Sequence, residues 1–205
     1  VPVNAIRTKP APARIAAASL VPLSLWTVLL LALPYSPTVS LLLKVALWGI
    51  PAYLFPKLVG GSEPNDFLLL NRAPRGKWIY LSAAFLILYS ILLSGGKVQV
   101  HSISIFFLVS AVVISPIVEE IAFRGVLLQS LNQHWSFKIS NAVTAIVFIL
   151  YHVPLWLARG HGVSIMTCLW LAFFSSWMGY FLLKSKSLWT CIIIHAVQNL
   201  VFGIL

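Results

Sequence analysis

Long apolar runs, separated by short polar segments, set the pattern of this chain. A helix that crosses a bilayer needs ~20 largely apolar residues. Seven stretches approach that length: Ile15–Leu33, Thr38–Phe55, Trp78–Leu93, Ile103–Leu128, Ile139–Leu157, Val163–Leu183 and Leu188–Leu205. The pattern predicts an all-α, polytopic transmembrane helix bundle of about seven spans, forming a single integral membrane domain over residues 1–205. Pro56 to Lys77 is the longest polar interruption, broken by Gly60-Gly61, Pro64 and Pro74. Within it the apolar run Phe67–Leu70 is expected to lie on the membrane surface. The first span also has the order of a signal peptide, basic residues before an apolar core, but no small-residue cleavage site follows and the chain stays apolar. No internal repeat is visible, which gives a repeat-built transporter little support.

Composition strengthens the membrane reading. Hydrophobic residues make up 60% of the chain and charged residues 9%, against about 25% charged in soluble domains. Charge then adds orientation. Arg7, Lys9, Arg14, Lys57, Arg72, Arg75, Lys77, Lys138, Lys184 and Lys186 all fall on one side of the expected bundle. Only Lys97 and Arg159 fall on the other, while Lys44 and Arg124 lie within spans. Because Lys and Arg accumulate in cytoplasmic loops, this asymmetry predicts an N-in, C-out topology. Trp78, Trp135, Trp156 and Trp189 sit near span ends, where interfacial tryptophans are expected. The basic residues form no stripe, so nucleic acid is not an expected partner despite the net charge of +10. Cys168 and Cys191 both lie in apolar segments and suggest neither a disulfide framework nor a CxxC metal clip.

Candidate chemistry begins in the fourth span. The chain has only four acidic residues, Glu63, Asp66, Glu119 and Glu120, and two of them are adjacent inside this span. Ionisable groups at membrane depth are expensive and point to function. Glu120 and Arg124 are spaced i, i+4, share a helix face and can neutralise each other. Glu119 points ~100° away around the helix and has no local cation. The labour therefore divides: Glu120 and Arg124 hold structure, and Glu119 is the candidate general base. The competing reading is a buried ion cluster that only pins helices together.

Two histidines lie within spans, His152 in the fifth and His195 in the seventh; His101, His134 and His161 fall in loops or at span ends. At ~1.5 Å rise per residue, Glu119 lies ~14 Å from the cytoplasmic end of its span, His195 ~10 Å, Asn199 ~16 Å and His152 ~20 Å, so convergence is possible. His195 and Asn199 share a face at i, i+4, and both can donate to an oxyanion. Phe148 and His152 share a face in the same way, with Phe148 packing beside the site.

These motifs, Glu119-Glu120-xxx-Arg124, Phe148-xxx-His152 and His195-xxx-Asn199, resemble in order and spacing the pattern EExxxR, FxxxH and HxxxN of the CAAX-protease and bacteriocin-processing family of intramembrane glutamate proteases. That family includes the eukaryotic Ras-converting prenyl-protein endopeptidase. The resemblance runs from about Pro116 to the C-terminus. It implies an endopeptidase that acts on a membrane-anchored or C-terminal peptide substrate, with no cofactor and no metal. Glu119 and His152 would activate water, His195 and Asn199 would form the oxyanion hole, and Glu120 and Arg124 would support Glu119. Residues 103–205 would be the catalytic helix core, and 1–102 would hold N-terminal spans of uncertain role. The expected location is the plasma (inner) membrane of a prokaryote, with the site in the cytoplasmic half of the bilayer.

Other readings remain open on the residues alone. Two histidines and a glutamate suit zinc, although no HExxH is present. Cys191 and His195, at i, i+4, could form a thiol–imidazole pair. A non-catalytic immunity factor or scaffold, or a proton-coupled transporter using the same Glu and His residues, would share the composition.

Overall fold

The computed structural model describes residues 10–60, 62–96 and 101–204. All regular structure among them is helical. Six helices are long and apolar enough to cross a membrane: α1 (Pro12–Ala32), α2 (Pro37–Val59), α4 (Gly76–Leu93), α5 (Ile105–Leu131), α6 (Phe137–Ala158) and α7 (Ile165–Ser185). A short helix, α3 (Pro64–Phe67), lies between α2 and α4. The seventh expected span is α8 (Leu188–Ile204), apolar but shorter. Its 17 residues give about 26 Å of helix, slightly less than a bilayer's hydrocarbon core. Arg7, Lys9, Lys97 and Leu205, used in the sequence reading, lie outside the described residues.

Local sequence sets the helix ends. Pro12 and Pro37 stand at helix starts, where a missing N–H costs nothing. Ser104 accepts the Phe107 N–H at 3.1 Å and opens α5. Lys186, with φ of 56°, turns the chain out of α7 in the left-handed region. Hydroxyls inside the spans bond back to their own helix, as Ser82 does to Trp78 O at 2.7 Å and Thr144 to Ser140 O at 2.8 Å. Many large apolar side chains face outward, among them Leu20, Val28, Leu88, Leu92 and Ile146, as lipid-facing positions should.

Helix α5 is central, touched by α2, α6, α7 and α8, and Val118–Leu128 is buried without a break. It winds as a π-helix over Leu108–Ile114 and again over Ile121–Leu128, leaving Ser115–Glu120 as an α-helical insert. Wide turns of this kind often occur at functional sites.

The polar interruption departs from expectation. Phe67, Leu68 and Leu69 do not lie on the membrane surface but are buried against Val126, Phe174, Met178 and Leu188. Gly125 makes room for them, since a Cβ there would meet Leu68 Cδ2 at 2.6 Å. Gln129 donates to Phe67 O at 3.0 Å, and Trp189 donates to Leu70 O at 2.8 Å. The segment therefore plugs one end of the bundle. A run of four apolar residues between Gly and Pro reads as surface; its burial depends on a gap that only the assembled helices create.

Candidate active site

Four helices bring ionisable side chains to one buried point. Glu119 and Glu120 come from α5, His152 from α6, His195 from α8 and Lys44 from α2. Glu120 and Arg124 are fully buried, and Glu119, His195 and Lys44 nearly so.

The two oxygens of Glu119 have different surroundings. Oε1 accepts from Lys44 Nζ at 2.6 Å and from Tyr151 Oη at 3.4 Å. Oε2 has no hydrogen-bond partner among the described residues and faces two imidazoles, with His195 Nε2 at 3.7 Å and His152 Nε2 at 3.8 Å. Each ring is held by its other nitrogen. His152 Nδ1 lies 2.8 Å from Phe148 O, and His195 Nδ1 lies 2.8 Å from Glu120 Oε1. Carbonyl and carboxylate oxygens only accept, so each Nδ1 is the donor and each Nε2 is turned toward Glu119.

Glu120 Oε1 also accepts from Arg124 Nη1 at 3.1 Å, the i, i+4 pair read from the sequence. Arg124 extends the tie, donating to Ser175 O on α7 at 3.1 Å and stacking over the Phe148 ring at 4.6 Å. Phe148 thus packs between Arg124 and His152, whose ring centroid is 4.6 Å away. Glu120 does more than pair with Arg124, because it also orients His195.

Asn199 sits one turn beyond His195 and donates through Nδ2 to Ala111 O at 2.7 Å. The π-helical turn explains why that carbonyl is free. In this register Ser115 N–H reaches back five residues to Ser110 O; the next donor would be residue 116, a proline with no N–H. Asn199 fills the place, and its amide keeps a second N–H.

The structure thus gathers Glu119, Glu120, Arg124, Phe148, His152 and His195 as a contact network, with Asn199 anchored to the same helix. It also supplies the cation that the sequence reading did not give Glu119. Lys44 binds it from α2 and is held in turn by Ser115 Oγ at 2.9 Å. Tyr151 was missed as well, although it lies beside His152. It is fully buried, stacked on Trp26 at 5.2 Å, while Trp26 Nε1 donates to Tyr151 O at 3.0 Å. A charged residue in an apolar span was the available signal for Lys44.

Other candidates lie elsewhere. Cys191 directs its S–H to Met178 O at 3.4 Å, on the α7 side. His134 Nε2 lies 2.9 Å from Pro10 O, and His101 N–H bonds to Ile204 O at 2.8 Å. Among the described residues, no group of three His, Cys, Asp or Glu is arranged to hold a metal ion.

Residues 101–201 match the family model described as type II CAAX prenyl endopeptidase Rce1-like. No curated protein and no solved structure matches the chain. The matched stretch contains every motif residue of the site and leaves out Lys44. Over residues 101–201 the chain is similar to the Rce1-like type II CAAX prenyl endopeptidases.

Proposed function

We propose that this protein is an intramembrane glutamate endopeptidase that hydrolyses a peptide bond of a membrane-anchored or C-terminal peptide substrate. The observation that carries the reading is the approach of three groups from separate helices, Glu119 Oε2 with His152 Nε2 and His195 Nε2, to within 3.8 Å at a buried point.

Each group then has a chemical task. Water attacks the scissile carbonyl carbon and gives its proton to the Glu119–His152 pair, where His152 Nε2 is the free ring nitrogen. The oxyanion accepts hydrogen bonds from His195 Nε2 and the second N–H of Asn199. To donate there while Nδ1 stays on Glu120, His195 carries both ring protons, with the Glu120 carboxylate as counter-charge. Collapse of the intermediate breaks the C–N bond, and the stored proton passes to the leaving amine. A carboxylic acid and an amine result, and the acid's proton then passes to the amine to give carboxylate and ammonium. His152, with 17% of its side chain exposed, is the site's open edge. The charge asymmetry supports basic loops facing the cytoplasm. Along α5, Glu119 is 12 residues from Leu131, the end that the N-in topology puts at the cytoplasm, and 14 from Ile105, about 18 Å and 21 Å of helix, which supports a site in the cytoplasmic half of the bilayer, close to its middle.

The test is cleavage of a membrane-anchored peptide library by purified protein in liposomes, comparing wild type with Glu119→Gln and His195→Ala. Cleavage by wild type alone, unchanged by strong chelators, is the expected result. Chelator-sensitive cleavage restored by zinc would replace this reading with a metalloprotease. No cleavage by any form, with pH-dependent flux across the liposomes, would replace it with transport.

A further inference from the structure

We propose that Lys44 is a positioning residue for Glu119, so that the N-terminal half of the chain completes the active site. The inference rests on the protease reading above and extends it to a helix that the family match leaves out.

The geometry separates the two carboxylate oxygens. Lys44 Nζ holds Oε1 at 2.6 Å and is anchored to Ser115 Oγ at 2.9 Å, one turn before Glu119 on α5. The ammonium therefore bridges two side chains on the same face of the helix. With Oε1 engaged, rotation of the carboxylate is fixed and Oε2 is presented to His152 and His195. A carboxylate free to rotate would present either oxygen, and a misplacement of about 1 Å can cost about 100-fold in rate. Lys44 also supplies a counter-charge that no residue of α5 provides to Glu119. Arg124, the other buried cation of the site, is committed to Glu120, Ser175 and Phe148.

Local structure on α2 supports this placement. Lys44 is the last residue before the π-helical stretch Val45–Gly49. One turn on, Trp48 packs on Phe123 at 5.3 Å and on Tyr151 at 5.1 Å. Gly49 permits the close approach, since a Cβ there would come within 3.1 Å of Val118. The helix is thus pressed against α5 at the level of Glu119, and the Lys44 stem has a fixed origin.

The experiment measures kcat and KM of the full-length protein in liposomes for wild type, Glu119→Gln, Lys44→Met and Ser115→Ala, with unfolding midpoints for each. Lys44→Met should lower kcat about 100-fold while KM stays within about twofold, the split expected when only alignment of the reacting groups is lost. Ser115→Ala keeps every charge and loosens only the anchor. It should fold like wild type and lower kcat about fivefold, the scale of one hydrogen bond. A folded Lys44→Met with wild-type kcat, beside an inactive Glu119→Gln, overturns this inference and leaves the protease reading intact. So does a raised KM at unchanged kcat, which would make Lys44 a substrate contact. Where Lys44→Met does not fold, wild-type kcat in Ser115→Ala overturns it. Absence of cleavage by the wild type removes both readings together.

Discussion

His195 Nδ1 lies 2.8 Å from Glu120 Oε1, and this bond decides which ring nitrogen looks at Glu119. Glu120 is therefore tied to the Glu119–His152 cluster through His195 as well as to the scaffold through Arg124. Glu120→Ala should release the ring and lower kcat about 10- to 100-fold. It should also lower the unfolding midpoint, because Arg124 loses its buried counter-ion. Initial rates and thermal unfolding of the same preparation check both effects.

Glu119→Gln should behave differently. The amide oxygen can still accept from Lys44, so the protein should fold, with a midpoint lowered by the uncompensated Lys44 charge, yet cleavage should be abolished. Equal loss of activity with equal destabilisation in the Glu119→Gln and Glu120→Gln variants would show that the two carboxylates do not divide their roles.

Arg124 joins α5 to α6 and α7 from a fully buried position. Arg124→Met leaves Glu120 without its cation and should cost about 3–5 kcal/mol of stability. Denaturant unfolding in micelles measures it; a loss below about 1 kcal/mol would place Arg124 among weak surface-type pairs.

Asn199→Ala removes one proposed oxyanion donor and the link to Ala111 O. A fall in kcat of about 10²–10³ at unchanged KM is expected from the lost donor. A change confined to stability would reduce Asn199 to a clamp between α8 and α5.

Gly125→Ala tests the plug. The new methyl would collide with Leu68 and should destabilise the protein by about 1–3 kcal/mol. Combining it with Leu68→Ala relieves the collision, so the double variant should be less impaired than the sum of the two single changes.

What the sequence revealed follows from the reach of helical periodicity. Glu120 with Arg124, Phe148 with His152, and His195 with Asn199 are each four residues apart on one helix, and that spacing alone pairs them. Lys44 and Glu119 are 75 residues apart, and nothing in helical spacing joins them. Lys44 was visible only as a charge in an apolar run. Tyr151 passed as one more core aromatic. The link from His195 to Glu120 also crosses 75 residues, so Glu120 read as structural only. The spans followed from hydropathy, while burial of Phe67–Leu69 depended on the space left by Gly125.

The site's two carboxylates are matched by Lys44 and Arg124, each within 3.1 Å of its partner. Those four side chains balance, and the second ring proton that His195 needs as an oxyanion donor is the one charge left over, shared with Glu120 at 2.8 Å. An electric field across the membrane does work on a displaced net charge, about 2.3 kcal/mol per elementary charge per 100 mV. Small movements of the site therefore couple to the membrane potential through that single charge, not through the two carboxylates.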